Sequence, residues 1–347
     1  MDKHIISTSP HIRSKLTSRR IMLDVLIALL PCCIAAIVFF GWYSLAIMAI
    51  SVASCVISEI AYKIIEKKAW EDWSAVMNHI FSRFDFSSVV TGIILSLILP
   101  TRVNINGELA LLPWYMPLLG GMFAILLCKM LFGGTGRNLV NPACAGRVFL
   151  FISYMSIMTA CVGNCVISPL VELSAAEGEI LSGATPLTAL LEGNKTLSPL
   201  DLFLGTGVDG AMGETCKLAI LIGYLYLCVR RTIKWYYPLM AIGASATLCL
   251  FMEGFDFSIT LSSVLSGGLL FGSVFMATDY VTNPKSTLGN VIFFVSFGLL
   301  NAGLRKATGI EVTSFCLLIM NCITPLIDLV VPRRPFGFVR PVKGAKA

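Results

Sequence analysis

Ten apolar runs follow one another along this chain, and they leave few folds open. They cover roughly Ile21–Phe40, Trp42–Tyr62, Phe86–Leu99, Trp114–Phe132, Ala143–Val162, Gly210–Val229, Trp235–Met252, Phe257–Thr278, Leu288–Leu304 and Val312–Ile327. A helix that crosses a bilayer needs about 20 residues, because inside hydrocarbon every backbone N–H and C=O must be satisfied by the protein itself. Charge is scarce: 13% of residues are charged and 56% hydrophobic, with a mean hydropathy of +0.82. That is too little charge to cover a soluble domain of this length. The sequence therefore predicts an all-α polytopic membrane protein with about ten transmembrane helices. The same figures exclude a disordered, collagen-like or nucleic-acid-binding chain. Several runs are short for a full span, which predicts tilted or broken helices around an internal site.

The basic residues orient the spans. With the N-terminus placed in the cytoplasm, Arg13, Lys15, Arg19 and Arg20 share a side with Lys63, Lys67, Lys68 and Arg83. Arg230, Arg231, Lys234, Arg333, Arg334, Arg340, Lys343 and Lys346 fall on that side too. The opposite side has Arg102, Lys195, Arg305 and Lys306. This asymmetry predicts that both termini are cytoplasmic and that the number of spans is even. It also makes the net charge of +6 mainly an orientation signal. No cleavable leader is expected, since no small-residue cleavage site follows the first run. The longest loop, 163–214, falls outside and holds Glu172, Glu177, Glu179, Glu192, Asp201, Asp209 and Glu214 against Lys195.

A repeat organises the spans. Ser88-Val-Val-Thr-Gly-Ile-Ile-Leu resembles Ser263-Val-Leu-Ser-Gly-Gly-Leu-Leu, and Thr135-Gly136 resembles Thr308-Gly309 at nearly the same offset. One duplication of five helices predicts two inverted five-helix repeats, with a site near mid-membrane between them. The expected divisions are a cytoplasmic segment 1–20, a first repeat 21–162, the external loop 163–214, a second repeat 215–330 and a basic tail 331–347. Two Asn-Pro steps, Asn141-Pro142 and Asn283-Pro284, are taken as further support. Proline disfavours helix just before it, so each step marks a turn or a re-entrant break.

Twelve cysteines scatter through apolar runs without a CxxC pair, and are expected to be packing residues. There are three histidines and no clustered thiolates, so no metal site is expected. Ionisable residues in or beside the spans are candidates for function. Asp24, Glu59, Lys129, Arg147, Asp279 and Asp328 qualify. Asp279, just before the second Asn-Pro step, could cap backbone or bind a cation. Asp328 could pair with Arg333 and Arg334 or lie on an ion path. Gly268-Leu-Leu-Phe-Gly272 reads as close helix packing. Trp42, Trp114 and Trp235 read as interfacial anchors.

The external loop contains Glu179-Ile-Leu-Ser182-Gly183-Ala184-Thr185-Pro186-Leu187. Read from its residues, this is a small-residue turn presenting a hydroxyl, with Gly183 and Ala184 leaving room and Pro186 fixing the backbone that follows. The string resembles the acceptor at which flavin transferases attach FMN to threonine through a phosphoester. With the ten runs and the acidic loop, it resembles the membrane subunits of Rnf ion-translocating oxidoreductases and of Na+-pumping NADH:quinone reductases. Gly136-Arg-Asn-Leu-Val-Asn-Pro-Ala143 and Phe275-Met-Ala-Thr-Asp279 carry the resemblance further. One departure is Glu179, where the family's motif begins with Asp.

The resemblance implies FMN on Thr185, with Ser182, Gly183 and Ala184 shaping the acceptor turn. It also implies riboflavin or a second flavin held non-covalently, for which the Asn-Pro turns and Arg147 are candidate ligands. The implied partners are the A, B, C, E and G subunits of an Rnf complex, a flavin transferase during maturation, and the lipid of a bacterial inner membrane. The chain shows no nucleotide-binding fingerprint of its own, so NAD and ferredoxin are expected to meet other subunits. The competing reading is a stand-alone inverted-repeat transporter or channel for a small solute, which has no use for the Ser182–Leu187 turn.

Overall fold

The computed structural model describes residues 17–66, 84–105, 108–159, 199–205 and 210–333. Within them every apolar run contains a helix. α1 spans Ser18–Phe40, α2 Trp42–Glu66, α3 Ser87–Leu97, α4 Tyr115–Met130 and α5 Pro142–Ser153. After two short helices, Met155–Thr159 and Pro199–Leu204, come α6 (Lys217–Val229) and α7 (Tyr236–Met252). The chain closes with α8 (Phe257–Leu265), α9 (Leu269–Met276), α10 (Thr287–Thr308) and α11 (Thr313–Val330). The protein is an all-α polytopic membrane protein. Among the described residues four helices, α1, α2, α10 and α11, are long and apolar enough to cross a bilayer alone. α8 and α9 make a fifth candidate as a pair bent by 63°.

Helix ends follow local chemistry. Thr17 caps α1 by accepting from Arg20 N–H at 3.3 Å. Asn141 caps α5 by accepting from the N–H groups of Ala143 and Cys144, and Pro142 fills the first helical turn, where a missing N–H costs nothing. Ser286 caps α10, and Gly309 ends it with a φ of 71°. That left-handed conformation suits a residue without Cβ.

Packing separates two faces on α1. Ala28, Leu29, Cys32 and Ala36 are buried, whereas Leu30, Ile34 and Val38 lie on the opposite, exposed stripe at helical spacing. Such a stripe suits lipid. α1 lies along α6, α2 along α3 and α4, α7 along α10, and α5 meets α11. The cysteines Cys32, Cys55, Cys128, Cys144, Cys249 and Cys316 are buried and unpaired, while Cys322 is exposed.

Three features depart from the sequence reading. First, a small antiparallel hairpin, β1 (Arg102–Ile105) and β2 (Glu108–Leu111), joins α3 to α4, with Arg102 opposite Leu111 and Val103 opposite Ala110. Second, α4 and α9 both end in a π-helical turn, Leu126–Met130 and Gly272–Met276. Such turns are rare and gather at functional sites. Third, the two Asn-Pro steps are not counterparts in a repeat. Asn141 caps the fifth helix of the first half, whereas Asn283 precedes the fourth long helix of the second.

Candidate functional site

Ser182, Gly183, Ala184 and Thr185 lie outside the described residues. The segment that follows them from residue 210 is described. Met212 N–H donates to Leu99 C=O, and Gly213 N–H donates to Leu97 C=O at 2.6 Å. These bonds tie the turn at Met212 and Gly213 to the end of α3. The next residue, Glu214, is 5% exposed and meets Arg147 of α5 at 3.1 Å. Arg147 also donates to Ile98 C=O at 2.8 Å. It is therefore tied between the loop's return and α3, and does not reach outward as a helix-end arginine often does.

A second ion pair lies beside the first. Arg305, near the end of α10, pairs with Glu311 at 2.5 Å. It also donates to Ser263 C=O at 2.7 Å, in the last turn of α8, and to Ser266 C=O at 2.8 Å, in the break between α8 and α9. Burial pushes the Glu311 carboxyl up, but Arg305 and the Thr313 hydroxyl outweigh it and bring it to about 2. Lys217, 3% exposed at the start of α6, donates to Glu214 C=O and reaches Gly267 C=O at 3.4 Å. Charged side chains from α5, α6 and α10 and from two loops thus meet where a helix is interrupted.

At the other end of α9, both asparagines of the Asn-Pro steps converge. Asn141 donates to Met276 C=O at 3.2 Å, and Asn283 donates to Ala277 C=O at 2.8 Å. A helix end carries unsatisfied carbonyls, and the two side chains satisfy consecutive ones. Beside them lies a cavity of about 70 Å³ lined by Ser87, Lys129, Asn138, Asn141, Phe275 and Asp279. Lys129, on the π-helical turn of α4, is 1% exposed and meets Glu59 of α2 at 2.8 Å and the Ser87 hydroxyl at 2.6 Å. Glu59 also pairs with Lys63 one turn away. The side-chain oxygens of Asn138 and Asn283 are buried without a partner.

Asp279 lines this cavity and accepts from Val281 N–H at 3.2 Å and from the Thr282 hydroxyl at 3.4 Å. Burial pushes its carboxyl above the ordinary range, against those two hydrogen bonds. Asp328, on α11, accepts from Lys285 N–H at 2.9 Å. The two acids therefore hold opposite ends of the turn that links α9 to α10.

Sequence reasoning names Glu59, Lys129 and Arg147 singly but does not pair them; it places Glu214 and Arg305 among the external charges and does not single out Glu311. The available signal is Ser266-Gly267-Gly268 inside an apolar run: a break there needs polar partners, and lone basic residues near other helix ends could supply them. The Gly268–Gly272 step is only half a packing motif. Gly268 packs against the Glu214 carboxylate, while Gly272 does face Thr313 of α11.

Comparison with known proteins finds relatives along nearly the whole chain. The model of the NQR2, RnfD, RnfE family matches residues 5–337. The D subunit of the Na(+)-translocating ferredoxin:NAD(+) oxidoreductase complex of Acetobacterium woodii is 37% identical over 99% of this chain and 98% of the relative. The D subunit of the proton-translocating ferredoxin:NAD(+) oxidoreductase complex of Clostridium ljungdahlii is 32% identical over 97% and 95%. The D subunit of an ion-translocating oxidoreductase complex of Stutzerimonas stutzeri is 33% identical over 92% of both chains. With a family model covering nearly its whole length and relatives of matching span, the chain belongs to the NQR2, RnfD, RnfE family.

Proposed function

We propose that this chain is the membrane subunit of a ferredoxin:NAD(+) oxidoreductase complex coupled to Na+ or H+ movement, and that it carries FMN as a phosphoester on Thr185. The observation that carries this reading is the string Ser182-Gly-Ala-Thr-Pro-Leu187 in a chain whose relatives are named as the D subunits of such complexes. Those relatives are named for different ions, so the proposal covers both. A transporter acting alone gives no role to that string.

Bound flavin would supply reversible one-electron transfer, which no side chain offers. The chain's own part is placement. Thr185 would offer the hydroxyl for the phosphoester, and the small residues Ser182, Gly183 and Ala184 before it would leave room for the flavin transferase. The bonds of Met212 and Gly213 to α3, with Glu214 held by Arg147, fix where the loop returns. Ferredoxin and NAD would bind other subunits, for which A, B, C, E and G are the family's set.

The proposed setting is a bacterial inner membrane, with both termini cytoplasmic and the flavin loop external. Ten spans as two inverted repeats are supported by a shared pattern. α2 packs on α4 in the first half, and α7 packs on α10 in the second. In each half a basic residue of the latter helix reaches its own half's third span: Lys129 bonds Ser87, and Arg305 bonds Ser263 and Ser266. Asp279 and Asp328 are proposed for the ion route because they flank one turn beside a polar cavity. The second, non-covalent flavin does not fit that cavity as it stands: about 70 Å³ holds a few waters and no three-ring system. No step is assigned to it.

The test is fluorescence of the denatured polypeptide under ultraviolet light after electrophoresis. The wild-type band should fluoresce as a flavin and the Thr185→Ala band should be dark. A fluorescent variant would place the flavin elsewhere.

A further inference from the structure

The break between α8 and α9 exposes backbone carbonyls at the negative end of a helix. Inside a bilayer those carbonyls require partners. Here the partners are tethered cations. Arg305 takes Ser263 and Ser266, and Lys217 takes Gly267 together with the carbonyl of Glu214. The charges around the break do not balance one to one. Arg147 has Glu214 as its carboxylate, and Arg305 has Glu311. Among the described residues around the break, Lys217 is the cation without a carboxylate of its own: carbonyl oxygens hold it, and one of them belongs to Glu214, whose carboxylate pairs with Arg147.

The space is shaped tightly around these groups. A Cβ on Gly268 would overlap the Glu214 carboxylate, and one on Gly267 would overlap Arg305 and Glu311. Lys217 and Glu214 are 3% and 5% exposed. The Lys217 ammonium at this interrupted helix takes main-chain oxygens as partners, the ligand type that hard cations take in broken-helix transporters, with the Arg305 guanidinium on the other side of Gly267. A lysine that only filled space would not need its charged end directed at two carbonyls.

We propose that the carbonyl nest formed by Glu214 and Gly267, beside the Glu214 carboxylate, is a binding site for an alkali cation. In this conformation the Lys217 ammonium is its tethered occupant. The site uses none of Ser182–Thr185, so it does not depend on the flavin reading, and the readout below is blind to flavin.

The test compares the assembled complex carrying Lys217→Ala with wild type and with Lys217→Arg, each purified in choline buffer. Binding of radioactive Na+ is measured at equilibrium, and thermal unfolding is followed in NaCl against choline chloride. Lys217→Ala should gain about one saturable Na+ site per chain over wild type, and Na+ should raise its unfolding temperature selectively. Lys217→Arg should gain none. Adding Glu214→Gln to Lys217→Ala should weaken the new site about tenfold, a loss of about 1.4 kcal/mol. Equal Na+ binding by wild type and an assembled Lys217→Ala complex would overturn the proposal. So would failure of both Lys217→Ala and Lys217→Gln to assemble in NaCl and choline alike, because a vacated cation nest would be refilled at high Na+.

Discussion

Asn141 and Asn283 donate to consecutive carbonyls, Met276 and Ala277, at the end of α9. Two Asn-Pro steps far apart in the chain thereby secure one helix end. Asn141 does so while its own oxygen caps α5. It is thus both the cap of α5 and a strut between α5 and α9.

Asn141→Ala removes both functions. Loss of a cap costs about 1 kcal/mol, and a buried hydrogen bond adds about 1 more. Thermal unfolding of the solubilised protein should show a larger drop for Asn141→Ala than for Asn283→Ala, because Asn283 holds the end of α9 but caps no helix N-terminus. Equal drops would mean that capping of α5 contributes nothing.

Glu59 and Lys129 make a buried pair, and breaking one member should be far worse than removing both. A buried charge left alone costs about 3–5 kcal/mol, whereas replacing a pair by apolar groups is often neutral. Lys129→Met should therefore destabilise strongly, and Glu59→Leu with Lys129→Met should recover most of the loss. Lys63 softens the Lys129→Met effect by remaining beside Glu59. Additive single effects in a double-mutant cycle would contradict the pairing.

Gly267 and Gly243 should respond oppositely to alanine. Gly267 has a φ of 67° and its Cβ would meet Arg305 and Glu311, so Gly267→Ala should cost at least about 1–3 kcal/mol. Gly243 sits within α7 with nothing near its Cβ, so Gly243→Ala should gain up to about 1 kcal/mol from helix propensity. Unfolding temperatures measured side by side check the sign of each.

Asp279 separates an ion-route role from a structural one. Asp279→Asn keeps an oxygen for the Val281 N–H and places an amide N–H where it can donate to the Thr282 hydroxyl, but removes the charge. Reconstituted complex should lose most of its ion transport at unchanged flavin content and unchanged unfolding temperature. Full transport would take Asp279 off the route.

The long helices among the described residues are legible in the sequence because each overlaps an apolar run with clear ends, such as Gly41 between α1 and α2 or Gly309 after α10. The hairpin escapes notice although Asn106-Gly107 is a strong hairpin signal, because the surrounding runs draw the reading toward helices. The Arg305–Glu311 pair is hidden for a different reason. Each residue read alone is an ordinary loop charge, and only the break at Ser266–Gly268 gives Arg305 carbonyls to hold. The convergence of Asn141 and Asn283 is equally out of reach, since side-chain partners across a fold leave no local pattern. The acceptor turn at Thr185 is legible only through its resemblance to a family motif.

The most direct test of the flavin assignment is the intact mass of the denatured chain, measured for wild type and for Thr185→Ala produced with the same flavin transferase. The account predicts that wild type exceeds the polypeptide mass by FMN less one water and that Thr185→Ala shows the bare polypeptide mass. A wild-type chain at bare mass from an assembled, active complex, or an unchanged adduct on Thr185→Ala, would contradict it.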